Sequence, residues 1–170
     1  MGYMHDTQMS MFVPPAKIGK TAGTWTPTIA SNVVSEVRTA ADANFTLLIP
    51  VNPLQNAAAL KGARLKSIDV YYKVATAAMD DIATVALSKM TLPADGAAVS
   101  GAAVSGITLD AGNDTAAERK ALGDHTMTVT LTAPVWIDDN DHYVLSLVCD
   151  AAATSVFTLY GARVNFDLRA

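Results

Sequence analysis

The sequence predicts an all-β chain: a two-sheet antiparallel β-sandwich, jelly-roll-like, with an extended N-terminal arm. Three observations lead there. Apolar and polar residues alternate with a period of two in run after run, as half-buried antiparallel strands require. Turn residues separate these short runs into eight or so strands, which suits a sandwich or barrel. Thr and Val are abundant, while the long charged heptads of a helical bundle are missing.

Residues 1–22 read as the arm and 23–170 as one sandwich domain. Four methionines are scattered through the arm, and Pro14, Pro15 and Gly19 interrupt any period. Consecutive prolines disfavour a helix and leave an extended path. Ordering such a segment costs on the order of 1–2 kcal/mol per residue in backbone entropy, so an ordered arm must lie against something. Met9, Met11, Phe12, Val13, Pro14 and Pro15 are its apolar anchors, with Met1 and Met4 before them. Methionine adapts to irregular grooves. The surface that receives them is either the chain's own domain or, as we expect, a neighbouring subunit. On that expectation, deleting residues 1–20 abolishes assembly and leaves a folded monomer.

From Thr24 the period is two. Trp25, Pro27 and Ile29 alternate with threonines, and Val33–Thr39 is a second short strand. Phe45, Leu47 and Ile49 share one face, and Pro50 and Pro53 end that run. Ile68, Val70, Tyr72 and Val74 alternate with Ser67, Asp69, Tyr71 and Lys73. Met79–Met90 is ambiguous, but its β-branched residues and the turn from Pro93 to Gly96 favour a strand from Ile82. The five-residue unit AAVSG occurs twice in succession, at Ala97–Gly101 and Ala102–Gly106, too short for a solenoid repeat.

Thr115 with Glu118 three residues later fits a capping box, so Asp114–Leu122 holds helix-start chemistry, with Gly123 as the stop. Met127, Val129 and Leu131 alternate with threonines on the opposite face. Tyr143–Cys149 is apolar on both faces and reads as a central strand. Val156–Leu168 is long, and Gly161 in its middle predicts a bulge or bend. No Cys-Trp-Cys spacing supports an antibody-type domain, and a jelly roll accommodates strands joined by loops of unequal length.

Composition bounds the function. The 170 residues are 51% hydrophobic but only 16% charged, against a usual ~25% charged. A soluble surface of such low charge is one that neighbours often cover. The net charge of −4 argues against a nucleic-acid footprint, which needs a basic face. No apolar stretch approaches the ~20 residues of a membrane helix. The start MGYMHDTQMS has neither the basic region nor the apolar run of a signal peptide. A single cysteine, Cys149, forms no intrachain disulfide and builds no ordinary structural zinc site.

Candidate chemistry is sparse. Gly19-Lys20-Thr21 matches only the end of a phosphate loop: Pro14 stands where the first glycine belongs. Asp138, Asp139 and Asp141, with Asn140, form the densest acidic cluster. They are weak candidates for a cation, because the calcium-loop pattern fails and a turn uses the same residues. His125 and His142 each follow an aspartate, Asp124 and Asp141, as an oriented base or metal ligand would. Both also precede expected strands, where a polar turn belongs. Trp25, Trp136, Tyr71, Tyr72, Tyr143 and Tyr160 could form a sugar-stacking face, though most fall on core-facing positions. Arg64, Lys66 and Lys73 make a mild basic stripe suited to salt bridges.

Three stretches carry a resemblance: WTPTIAS near the start, Lys61–Asp81 (KGARLKSIDVYYKVATAAMDD), and Thr115–Leu168, which includes HTMTVTLTAPVWIDDNDHYVLSL. In the order of these features the chain resembles uncharacterised structural proteins of tailed-phage and environmental viral genomes. That resemblance implies a virion β-sandwich, a decoration or shell component made in the host cytoplasm. It implies self-assembly, with a trimer favoured, contacts to other virion proteins, and no catalytic residue or cofactor. The alternative expectation is a carbohydrate- or ligand-binding sandwich module.

Overall fold

A computed structural model describes residues 6–51, 63–93, 95–138 and 140–169. Met1, Met4, His5, Pro53 and Asp139 lie outside the described residues. The strands are β1 (Asp6–Val13), β2 (Gly19–Lys20), β3 (Trp25–Ala30), β4 (Val33–Arg38), β5 (Ala43–Val51), β6 (Ala63–Ala75), β7 (Asp81–Thr91), β8 (Ser100–Ala103), β9 (Ile107–Leu109), β10 (Gly123–Ile137), β11 (Asp141–Ala151) and β12 (Val156–Arg169). A short α-helix, α1 (Ala116–Arg119), precedes β10, and a 3-10 turn at Pro15–Lys17 joins β1 to β2.

The strands make two antiparallel sheets. One has the order β3-β4-β12-β6-β10-β9, with β1 added beside β12; the other runs β2-β5-β11-β7-β8. The pairing is nested. β4 pairs with β12, β5 with β11, β6 with β10 and β7 with β8. That is a long hairpin rolled up on itself, the jelly-roll arrangement the sequence predicts.

Period two sets what lies between the sheets. Ile68, Val70, Tyr72 and Val74 of β6 are buried, as are Leu145, Leu147 and Cys149 of β11 and Phe45, Leu47 and Ile49 of β5. Trp25, Phe45 and Phe157 meet edge to face, and Tyr72 stacks between Phe157 and His125. Such aromatic pairs add about 0.5–1.5 kcal/mol beyond their buried area. Arg38 enters this layer fully buried, its guanidinium 4.8 Å from the Phe45 ring centre. It donates to the carbonyls of Ala41 and Ala43 and so fixes the turn into β5. Burial holds its pKa below the usual range.

The N-terminal segment takes the first of the two places left open by the sequence, the chain's own domain. Residues 6–13 lie antiparallel along β12, from Asp6 opposite Arg169 to Val13 opposite Ala162. Met9 and Met11 are half-buried and Val13 is buried, while Gln8, Ser10 and Phe12 are exposed. The alternation that marks β5 and β11 therefore runs through this strand too. Pro15 and Ile18 are also buried. Lys20 of β2 crosses to the other sheet and pairs with Glu36 at 2.6 Å, both side chains 11% exposed.

The bulge expected at Gly161 is present: the β12–β6 register shifts between Leu159 and Gly161. Gly161 has φ +124°. A Cβ there would stand 2.6 Å from the Val13 carbonyl and 2.9 Å from the Phe12 ring. Only glycine lets β1 close onto β12 at this point.

The capping box also forms as expected. The Glu118 N–H donates to Thr115 Oγ1, and the Thr115 N–H donates to the Glu118 carboxylate. The helix is a single turn. It serves to place Arg119, whose buried guanidinium donates to the carbonyls of Ile82, Asn113 and Asp114.

Candidate functional site

A β-sandwich keeps its inner faces for the core, so its outer faces and edges are what a partner meets. The two outer faces here differ in chemistry.

The outer face of the seven-stranded sheet is polar and internally paired across β12, β6 and β10, while towards β4 it carries a shallow groove of about 480 Å³ lined by Ala30, Val33, Val37, Ala75 and Tyr160. Asp69 on β6 is buried, and its carboxylate accepts from Thr128, Asn165 and Arg163, the last at 2.8 Å. Arg163 spreads over Tyr71 with its guanidinium 6.0 Å from the ring centre. Lower on the same face, Arg64 and Lys66 both reach Asp167, at 3.1 and 3.2 Å. Arg64 also stands 5.6 Å from the ring centre of Trp136. The basic stripe read from the sequence is thus spent in salt bridges, with Lys73 facing Asp124.

The outer face of the five-stranded sheet is apolar and hydroxylic. Its register places Pro50 of β5 and Ser88 of β7 beside Val144 of β11. One row further, Leu48 and Ala86 flank Ser146; beyond that, Thr46 and Thr84 flank Val148. Leu48, Met90, Val99 and Val148 are exposed. Between them runs a shallow groove of about 480 Å³, lined by Leu48, Met90, Val99, Val144 and the serines 88, 100 and 146. Lys89 also lines it, with its ammonium turned to Asp141. This explains the two-faced apolar run at Tyr143–Cys149. β11 is central in its sheet, as expected, yet among the described residues only its inner face is covered. Covering an exposed Val or Leu gains roughly 1.5–3 kcal/mol per side chain, and contiguous apolar surface marks an interaction site.

Of the acidic loop, Asp138 and Asp141 are described and Asp139 is not. Asp141 is buried, accepting from Thr91 Oγ1 at 2.7 Å and from Lys89. Burial pulls its carboxyl upward, but the Lys89 ammonium and the Thr91 hydroxyl outweigh this and hold it below the usual carboxylate range. Asp138 is exposed. Sequence reasoning missed a different acidic group: Asp42, Asp80 and Asp150 place their carboxylates within 4.8 Å of one another. They come from positions far apart in the chain, so no local spacing marked them.

The two histidines are not brought together. His125 belongs to β10 of one sheet and His142 to β11 of the other. His125 stacks on Tyr72 at 4.7 Å and bonds the Ala121 carbonyl through Nε2, a packing role. Of the candidate aromatics, Tyr72 and Tyr143 are buried, Trp25 packs half-buried against the core, and Tyr71, Tyr160 and Trp136 face outward. Lys20, the lysine of the partial phosphate-loop match, is held by Glu36 and by the carbonyls of Pro15 and Ile18. Cys149 is buried, and burial pushes its thiol up to about 12. No described helix is long and apolar enough to cross a membrane.

Fold and faces together define a class: a jelly-roll sandwich whose outer sheet faces, one paired and one apolar, are its accessible surfaces. No family model and no curated protein matches the sequence. Among solved structures, TmCBM61 in complex with β-1,4-galactotriose gives a TM-score of 0.37 at 9% identity, over 94% of this chain and 88% of that one. A family 29 carbohydrate-binding module from Piromyces equi gives 0.33 at 11% identity, over 94% and 91%. The family 11 carbohydrate-binding module of the cellulase Lic26A-Cel5E of Clostridium thermocellum gives 0.34 at 7%, over 96% and 88%. At these scores and identities no ligand or site transfers to this chain.

Proposed function

We propose that this is a non-catalytic structural protein that assembles with copies of itself, of the kind that decorates or builds a virion shell. The observation that carries the reading is the outer face of the five-stranded sheet. Leu48, Met90, Val99 and Val144 line a groove there, Val148 is exposed on the same face, and Lys89 of the lining is paired with Asp141. The charged residues of the other face are paired with one another, which leaves the apolar face as the surface that gains most from a partner. Phe12, exposed on β1, is the N-terminal residue best placed to meet a neighbour. A trimer is the expected state, in contact with other virion proteins. The test is the native mass of the full-length protein by light scattering. A trimer or larger species supports the reading, and a monomer at every concentration overturns it.

A second reading, glycan binding, is favoured by one observation: Trp136 on the polar face is 40% exposed beside Arg64, Lys66 and Asp167. Binding on a glycan array that is lost in Trp136→Ala supports it. Absence of binding across the array removes it.

A further inference from the structure

The β3–β4 hairpin runs on past the point where its pairing with the rest of the sheet stops. β12 pairs only with Glu36–Arg38 of β4, and from Ala162 onward β1 occupies that edge of β12. Residues 28–30 and 33–35 therefore pair with each other alone. They are joined by a tight two-residue turn, with Ser31 at φ 50° and Asn32 at φ 65°. Positive φ at both positions is the hairpin turn that matches strand twist, so the tip is well defined.

This tip is apolar on both faces. Ile29 and Val34 are directly opposite each other and are 76% and 54% exposed. They share the face of Trp25 and Arg38, which enter the core, but they lie beyond the end of that core. Val33 and Ala30 take the other face and are exposed as well, along a shallow groove that they share with Lys73, Thr158 and Tyr160, so Ile29 and Val34 are the pair left without a neighbouring surface among the described residues. A two-stranded ribbon is marginal on its own, and one with three exposed aliphatic side chains needs a surface to lie on. No charged residue occurs from Thr24 to Ser35.

We propose that this hairpin seats in the apolar groove on the five-stranded sheet of a second copy. This rests on the assembly reading above and says how the copies join. The groove and the hairpin match in chemistry: both are apolar with hydroxyls, and neither buries an unpaired charge on contact. Lys89 in the groove's lining is already neutralised by Asp141. The hairpin ends the seven-stranded sheet, whereas the groove lies on the outer face of the other sheet. Two surfaces on opposite layers of one sandwich meet only between copies. The contact is therefore head to tail: each copy gives a hairpin and receives one. Such contacts close into a ring or continue as a lattice.

The test uses two variants of the full chain, Ile29→Asp/Val34→Asp in the hairpin and Leu48→Asp/Val144→Asp in the groove. All four positions face outward, and circular dichroism with thermal melting checks that each variant is folded. In sedimentation velocity the parent protein forms oligomers and each variant alone is a monomer. An equimolar mixture of the variants forms a heterodimer and nothing larger, because one intact hairpin meets one intact groove. Variants that assemble like the parent overturn this contact and leave the assembly reading standing; a monomeric parent overturns the assembly reading itself. A mixture that stays monomeric overturns the head-to-tail pairing. As a second measurement, Ile29→Cys mixed with Ser88→Cys gives a disulfide-linked dimer on mild oxidation, while native Cys149 is buried out of reach. No linked dimer from the mixture counts against the contact.

Discussion

Replacing Gly161 by alanine tests how β1 is held. Two costs are separable. The first is backbone strain: φ +124° is a region L-residues rarely adopt, at about 1–3 kcal/mol. The second is crowding. The new Cβ would sit 2.6 Å from the Val13 carbonyl, so β1 must retreat by most of an ångström from a ladder that begins at Val13 and Ala162. Val13 is 4% exposed, and uncovering it costs about 1.5 kcal/mol. The expected loss is about 2.5–4.5 kcal/mol, a fall in Tm of about 5–18 °C for a chain of this length. Gly123→Ala is the control: φ is +136° there, with nothing within 4 Å of a Cβ. Urea unfolding of both variants isolates the crowding cost, and hydrogen exchange locates it. Amides of residues 7–13 lose protection in Gly161→Ala but not in Gly123→Ala. Equal losses in the two variants, or unchanged protection of β1, would refute the reasoning.

Lys20→Met leaves Glu36 buried without its cation and costs about 3 kcal/mol in urea unfolding; Lys20→Met/Glu36→Leu recovers most of that loss, and failure to do so places the effect elsewhere. The Asp141 carboxyl, held below its unfolded value, contributes stability that is present above about pH 4 and disappears as pH falls through the folded value. The stability gap between the parent and Asp141→Asn therefore narrows in acid; a constant gap from pH 7 to about pH 2 contradicts the assignment. Cys149, buried and with its thiol pushed up to about 12, does not react with a thiol reagent in the native protein and reacts fully in urea. Deleting residues 1–20 now removes β1, β2 and the Lys20–Glu36 pair, so lowered stability accompanies any effect on assembly. A truncated protein as stable as the parent argues against that role for β1.

Most strands were legible because their cue is local. Period two at Phe45–Ile49, Ile68–Val74 and Met127–Leu131 survives folding unchanged, since a side chain's face in a strand is fixed by its parity. The Thr115/Glu118 cap was legible for the same reason, being satisfied within four residues. The place of β1 was not. Met9, Met11 and Val13 alternate in sequence, but two prolines and a glycine just beyond obscure the run. Nothing local says that its partner is a strand more than a hundred residues away.

By itself, then, the sequence determined the parity of each strand, the rolled two-sheet class and the scarcity of charge. Tertiary structure decided which apolar residues the chain covers. Tyr143–Cys149 reads as apolar on both sides whatever lies around it, but only the layering shows Leu145 and Leu147 enclosed while Val144 and Val148 line an outer face. Likewise, Ile29 and Val34 look like core residues until the pairing shows that the core ends at Glu36 and Arg38. Periodicity states which side a residue faces; only packing states whether anything is there to meet it.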